Sequence, residues 1–327
     1  MIDATRSSEM ETLVALLDVH WGLPSARLEA LSSGHTNKTW RVRAGSCFAI
    51  LRVSWPGKPT AQVRREAAML NHLGTWSGLP SLPRQRSGMA APHGVLAADG
   101  RWLHLFDCIP GRPGLPVDAD AGIVSAMVTL ARLHVAMAAL PAHASSPIDW
   151  LNARYERVTA RHAPGLSAAL LSQYDDVLKR IGARLAEGAA WIPERARWLH
   201  GDFHAGNLLF DGGTVSGVLD FDDVGQGSHW LETAFALFAL ARDAARDDRF
   251  VFDRRRWDLG LRAYAEVRPD LDAHSMREQR DALVDLFCAE QVLIHVEASQ
   301  RNLWTPGPGM GFLGCWRQLI GESDSGL

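Results

Sequence analysis

The chain has 327 residues, 47% of them hydrophobic and 22% charged, and a formal net charge of −3. That is ordinary globular composition, with material for one large domain or two lobes. The near-neutral charge gives no reason to expect a nucleic-acid partner. Four cysteines, Cys47, Cys108, Cys288 and Cys315, lie far apart with no CxxC pair. They suit neither a zinc site nor a disulfide framework, and point to a reducing cytoplasm. Lys occurs only at 38, 58 and 179, which reads as compositional bias rather than chemistry.

The N-terminal MIDATRSSEMETLVALL has acids and no basic region leading an apolar core, so it is not read as a signal peptide. RLEALSS (27–33), TWRVRA (39–44) and CFAILRVSW (47–55) are short, rich in β-branched or aromatic residues and separated by Gly-containing turns. They are expected to form successive antiparallel strands. TAQVRREAAMLNHL (60–73) carries apolar residues at helical spacing, and 94–107 reads as a hairpin turning at Asp99-Gly100. CIPGRPGLP (108–116) is the clearest breaker and the expected boundary between a first lobe, 1–107, and a second, 117–327.

The second lobe is expected to be mainly helical, with helices over 119–140, 166–187, 229–246, 254–266 and 275–301. The run 123–140 contains Arg132 and His134, and is expected to be a buried core helix rather than a membrane span. Only 208–210 and 216–221 look like strands, and the tail after Gly307 reads as irregular.

Residues 200–222, HGDFHAGNLLFDGGTVSGVLDFD, concentrate polar side chains that are costly to bury unless they are paired or build a site. Phosphoryl transfer needs a carboxylate beside the attacking hydroxyl and hard oxygen ligands for Mg²⁺. Asp202 and Asn207 stand at the Asp-x-x-x-x-Asn spacing of a kinase catalytic loop, and Asp220 follows after a hairpin. The expected roles are Asp202 as acceptor of the hydroxyl proton, Asn207 and Asp220 as Mg²⁺ ligands, and His200 as a brace. Asp222, two residues beyond Asp220, is expected on the same side of an extended segment. A zinc site from His200 and His204 is the competing reading, and no further Cys or His lies close in sequence to complete it.

HGDFHAGNLLF…GVLDFDD resembles the signature of the aminoglycoside phosphotransferase and choline kinase superfamily, small-molecule kinases related to the protein kinases. SSGHTNKTWRV (32–42), FAILRV (48–53), RREAAML (64–70), FDCIPGRP (106–113) and LARLH (130–134) extend the likeness along the chain. The resemblance implies a two-lobed α+β kinase-like fold, with a small antiparallel-sheet lobe and a larger helical one. It implies that Ser33, Gly34, Thr36 and Asn37 line a phosphate loop, that Arg52 takes the strand-lysine position with Glu66 as partner, and that the backbone from Phe106 through Asp107 and Cys108 to Ile109 meets adenine. It also implies ATP and Mg²⁺ as cofactors. Glu232 stands where the superfamily usually has the Asp that braces the catalytic loop, and His204 is a further supporting candidate.

The expected activity is transfer of the ATP γ-phosphoryl group to a hydroxyl of a small molecule: an amino alcohol, an amino acid such as homoserine, or an aminoglycoside-like compound. A stress-response protein Ser/Thr kinase and a regulatory pseudokinase are the alternatives. No nucleic-acid or membrane partner is expected, and the chain is expected to be a monomer or homodimer. Trp230, Trp257, Tyr264, Trp304 and Trp316 could build a quaternary-ammonium cage but read better as packing residues.

Overall fold

The computed structural model describes residues 2–33, 37–88, 93–144, 146–161, 168–192, 195–243, 249–301 and 312–321. The chain divides into two compact units, Met1–Thr75 with Ser81–Pro110, and Trp76–Pro80 with Gly111–Leu327.

In the first unit, α1 (Ile2–Trp21) precedes β1 (Arg27–Ser33), β2 (Lys38–Ala44) and β3 (Cys47–Val53). Then come α2 (Thr60–Leu73), β4 (Val95–Leu96) and β5 (Trp102–Asp107). The strands form one antiparallel sheet in the order β1-β2-β3-β5-β4. The period of two along β3 decides what faces where. Ala49, Leu51 and Val53 enter a core with Leu13 and Leu17 of α1. Arg52 alternates away from that core and pairs in register with His104 of β5. The helix α1 replaces what the sequence left without an element, and β3 ends at Val53, two residues before the expected limit.

The second unit opens with β6 (Arg112–Pro113), followed by the helices α3 (Ala119–Met137), α4 (Asp149–Thr159) and α5 (Ala168–Trp191). Then come β7 (Arg197–Leu199), a 3₁₀ turn at Ala205–Asn207, β8 (Leu208–Asp211), β9 (Thr214–Val218) and β10 (Gly225–Gly227). The remaining helices are α6 (His229–Ala241), α7 (Arg254–Val267), α8 (Ala273–Glu278), α9 (Arg280–Gln300) and α10 (Phe312–Ile320). Asp118 caps α3 by accepting from the Ala121 N–H at 3.1 Å, and the helix runs through the core on Ile123, Met127, Leu130 and His134. It is, among the described residues, the one helix long and apolar enough by composition to cross a membrane, and most of it is buried in this unit. Gly260 lets α7 approach closely, since a Cβ there would press on Leu237, Ile123 and Met127.

Several expectations need correction. The helix placed at 275–301 is two helices, broken at Gln279. The helix placed at 229–246 ends at Ala241, where Arg242 turns extended and bridges to Phe252. The tail after Gly307 contains α10, whose Phe312, Cys315, Trp316 and Leu319 are buried. The helix α4 and the short pair β7–β10 had no expected counterpart.

Candidate active site

In the first unit the polar centre is a buried ion pair. Arg52 Nη2 donates to both oxygens of Glu66, on α2, at 2.5 and 2.6 Å. Lys58 Nζ stands 3.5 Å from Glu66 Oε2, with no exposed side-chain surface. Burial would raise the Glu66 carboxyl, but Arg52 and Lys58 outweigh it and hold it below the ordinary carboxylate value. Lys58 is thus a working cation at this centre, contrary to its reading as compositional bias. Its signal in the sequence was faint, a lone Lys in the breaker PGKP.

The Arg52 guanidinium also lies 5.1 Å from the centroid of the Phe106 ring. Asp107 is tied sideways, its Oδ1 accepting from Arg86 Nε at 2.6 Å and its N–H bonded to Arg84 O at 2.9 Å. The backbone groups of Cys108 and Ile109 carry no hydrogen bond from the described residues, which leaves them open to a polar ring edge. Asn37 is buried. Ser33 ends β1, while Gly34 and Thr36 lie outside the described residues.

The loop of the second unit is built between β7 and β8. Asn207 donates its amide to Asp202 O at 2.9 Å and to Asp202 Oδ2 at 2.8 Å. Its own backbone is fixed by His204 O and by the Leu219 N–H. With Nδ2 spent on Asp202, the amide oxygen of Asn207 is the atom left to accept or coordinate, and no described residue claims it. His204 Nδ1 accepts from Gly206 N–H at 3.1 Å while Nε2 lies 3.4 Å from Asp202 Oδ2. Burial works against charge on both groups, but their mutual attraction wins. Asp202 is held below the ordinary carboxylate value, aided by His200 and the Asn207 amide, and His204 is held above the ordinary imidazole value, aided by Asp220.

His200 is fully buried and neutral, because burial pushes its pKa down. Its Nδ1 accepts the Asp202 N–H at 3.2 Å, so Nε2 carries the proton and donates to Leu219 O at 2.9 Å. Both ring nitrogens are therefore occupied within the loop. That removes His200 as a zinc ligand, and no cluster of three metal-binding side chains occurs among the described residues.

Glu232, near the start of α6, braces the loop from beneath. Its Oε1 accepts the Gly201 N–H at 2.6 Å, and its Oε2 accepts the His200 N–H at 3.2 Å. The same Oε2 takes His134 Nε2 at 2.7 Å, and His134 Nδ1 meets the Tyr264 hydroxyl at 2.6 Å. The Glu232 side chain thus reaches three donors at once. Burial raises the Glu232 carboxyl and lowers His134 far enough that the imidazole stays neutral. His134 and Tyr264 are members of this brace that the sequence did not mark as functional. LARLH was the available signal, a His on the apolar face of a helix.

Asp220 adopts φ 56°, one of two non-glycine residues in the left-handed region among the described residues. Such a conformation is costly for most side chains and clusters at functional sites. It overturns the extended alternation expected for Asp220 and Asp222. The chain turns here, so Asp222 is buried while Asp220 is half-buried beyond the end of β9.

The donor set fits Mg²⁺. The unclaimed Asn207 oxygen and the Asp220 carboxylate are hard oxygen donors few enough for an ion that keeps water and phosphate ligands.

The small antiparallel sheet, the helical unit and the loop define a two-lobed α+β kinase-like fold. Solved structures agree. The aminoglycoside phosphotransferase APH(4)-Ia, as a thermostable mutant with ADP and hygromycin B, superposes with a TM-score of 0.61 at 16% identity, over 97% of this chain and 100% of that one. The microcompartment-associated aminopropanol kinase gives 0.62 at 20%, over 91% and 94%. Residues 27–304 match the phosphotransferase enzyme family (APH), and the chain belongs to that family. A homoserine kinase of Neisseria meningitidis serogroup B is 32% identical over 196 residues, 56% of this chain and 58% of that protein. The chain thus spans a little over half the length of that relative.

Proposed function

We propose that the protein transfers the γ-phosphoryl group of ATP, with Mg²⁺, to a hydroxyl of a small molecule. The observation that carries this reading is Asp202, kept in its carboxylate form by His204, His200 and the Asn207 amide, on a loop that Glu232 holds through the Gly201 and His200 N–H groups. Bound Mg²⁺ would neutralise the charge on the phosphates. Asp202 orients the acceptor hydroxyl and takes its proton as the new O–P bond forms and the bond to the ADP oxygen breaks. Asn207 and Asp220 would hold the metal, Arg52 with Lys58 and Glu66 would position phosphates, and the Cys108–Ile109 backbone would meet the base. Asp222 and His204 support the loop.

Relatives named for homoserine, aminopropanol and aminoglycosides indicate the acceptor range: a hydroxy amino acid, an amino alcohol or an aminoglycoside-like compound. The same reading places the chain in the cytoplasm as a monomer or homodimer. ADP release from MgATP, measured against L-homoserine, 1-amino-2-propanol, ethanolamine, choline and aminoglycosides, tests it. One acceptor should turn over, and Asp202→Asn should lower kcat about a thousandfold, the middle of the range for a lost general base, with nucleotide affinity intact. Turnover unaffected in Asp202→Asn would sink the reading.

A further inference from the structure

The first turn of α6 carries a buried histidine that the chemistry of the loop does not use. Ser228 caps the helix by accepting the Leu231 N–H at 3.1 Å, and this start places His229, 1% exposed, one helical turn before Glu232. The His229 ring lies flat on that of His134, with centroids 3.8 Å apart and 2° between the planes. Its Nε2 stands 2.9 Å from Trp198 O in β7. Its Nδ1 stands 3.3 Å from Nη1 of Arg268, the residue that ends α7.

These two contacts specify where the proton is. A carbonyl oxygen only accepts and a guanidinium only donates, so Nε2 carries the hydrogen and Nδ1 the lone pair. Arg268 is itself clamped. Its Nε donates to Asp270 Oδ1 at 2.8 Å and its Nη2 to Oδ2 at 2.6 Å, which turns Nη1 toward the ring. The Arg268 side chain is 15% exposed and that of Asp270 64%, so the chain of contacts runs inward from solvent. Burial, His134 and Arg268 act against charge on the imidazole and outweigh Trp198 O and Glu232, driving its pKa down to about 2.

The inner end of this chain lies where β7 becomes the loop. Trp198 is followed by Leu199, His200, Gly201 and Asp202. His229 holds the Trp198 carbonyl, and Glu232, on the same helix, holds the His200 and Gly201 N–H groups. The carbonyl side and the amide side of the junction are thus gripped from one helix. Behind the two grips, His229 and the His134 that bonds Glu232 pack face to face. Packing alone does not require a fixed tautomer; holding a carbonyl does.

We infer that His229 and Arg268 are positioning residues for Asp202: Arg268, set by Asp270, fixes His229 in its Nε2–H form, and His229 holds Trp198 O so that β7 delivers Asp202 in place. The effect on turnover rests on the kinase reading above, whereas the tautomer and the hold on the loop do not.

The test uses the full chain. Ring-nitrogen NMR spectra of the isotopically labelled protein, with the His229 signals identified by their loss in His229→Gln, should show the hydrogen on Nε2. In His229→Leu, exchange of the His200 and Gly201 amide hydrogens should rise about tenfold, the worth of one lost hydrogen bond. With MgATP and whichever of L-homoserine, 1-amino-2-propanol, ethanolamine, choline or aminoglycosides turns over, kcat should fall about tenfold likewise, and KM for ATP should not move. His229→Gln, which offers an amide N–H in place of Nε2–H, should recover most of both losses. Arg268→Met should release the tautomer and lower kcat by a smaller factor; if His229→Leu does not fold, the ring spectrum and kcat of this variant decide. A hydrogen on Nδ1 in the wild type, unchanged amide exchange in His229→Leu, no recovery in His229→Gln, or a KM for ATP that rises in step with the loss of kcat overturns the inference. A fixed tautomer and faster loop exchange with no turnover on any acceptor would sink the kinase reading and leave the hold on the loop standing. Turnover with kcat the same in His229→Leu as in the wild type would do the reverse.

Discussion

Glu66 in the first unit and Glu290 in the second are both buried carboxylates, and they have opposite fates. Glu66 has two cations on it, one at hydrogen-bond distance through both oxygens, and its pKa falls. Glu290 has one cation at 3.6 Å and no hydrogen bond among the described residues, and its pKa rises to about 8. The first is a closed pair that fixes strand to helix. The second is left short of a partner. Both groups are buried; the number and distance of the cations beside them send their pKa values in opposite directions.

The harshest way to break the comparison is to open the closed pair. Glu66→Gln leaves Arg52 and Lys58 buried without a compensating charge, and should cost about 3–5 kcal/mol of stability in urea denaturation. A loss below 1 kcal/mol would mean the pair is no more closed than a surface contact. A milder test touches the brace under the loop. Tyr264→Phe removes the hydroxyl from His134 Nδ1 and should cost about 1–2 kcal/mol. The same variant should lower kcat several-fold without moving the KM for ATP. An unchanged kcat would make the brace a purely structural device.

The gentlest test sharpens the other side. Because the folded-state pKa of Glu290, about 8, lies above its ordinary 4.5, the folded protein holds a proton the unfolded chain has lost. Stability contributed by this group therefore declines as pH rises from the ordinary value to the folded one, and stays low above it. Glu290→Gln should flatten that part of the Tm–pH curve and raise Tm slightly at pH 8. A variant curve parallel to the wild type would show that Glu290 already has its partner.

What the sequence disclosed divides along similar lines. The strands of the first unit were legible because alternation and glycine turns are local, Asp202 and Asn207 because their spacing is, and Glu232 only through the resemblance to the superfamily. Arg52 and Glu66 are joined across a strand and a helix that are near neighbours in the chain. Arg154 and Glu290 lie on α4 and α9, and only tertiary packing brings them together, so no local pattern could mark them. The pair β7–β10 was missed for a related reason. Arg-Trp-Leu and Gly-Gln-Gly have no β signature of their own, and their pairing is imposed by the surrounding helices. The helix α10 was hidden by the glycines around it. Asp220 was placed in a strand because VLDF is apolar, whereas its left-handed backbone belongs to a turn that side-chain type does not announce.

Gly201 has a wider consequence. At φ +89°, its α-carbon faces the carbonyl oxygen of Asp223 so closely that any Cβ would collide with it. The segment bearing Asp202 and the segment bearing Asp220 to Asp223 are thereby meshed like two gear teeth, without clearance. In so tight a contact a displacement of one segment would press on the other, so that Asp202 and the run from Asp220 to Asp223 would move together. Any substitution at Gly201 would strip that gear.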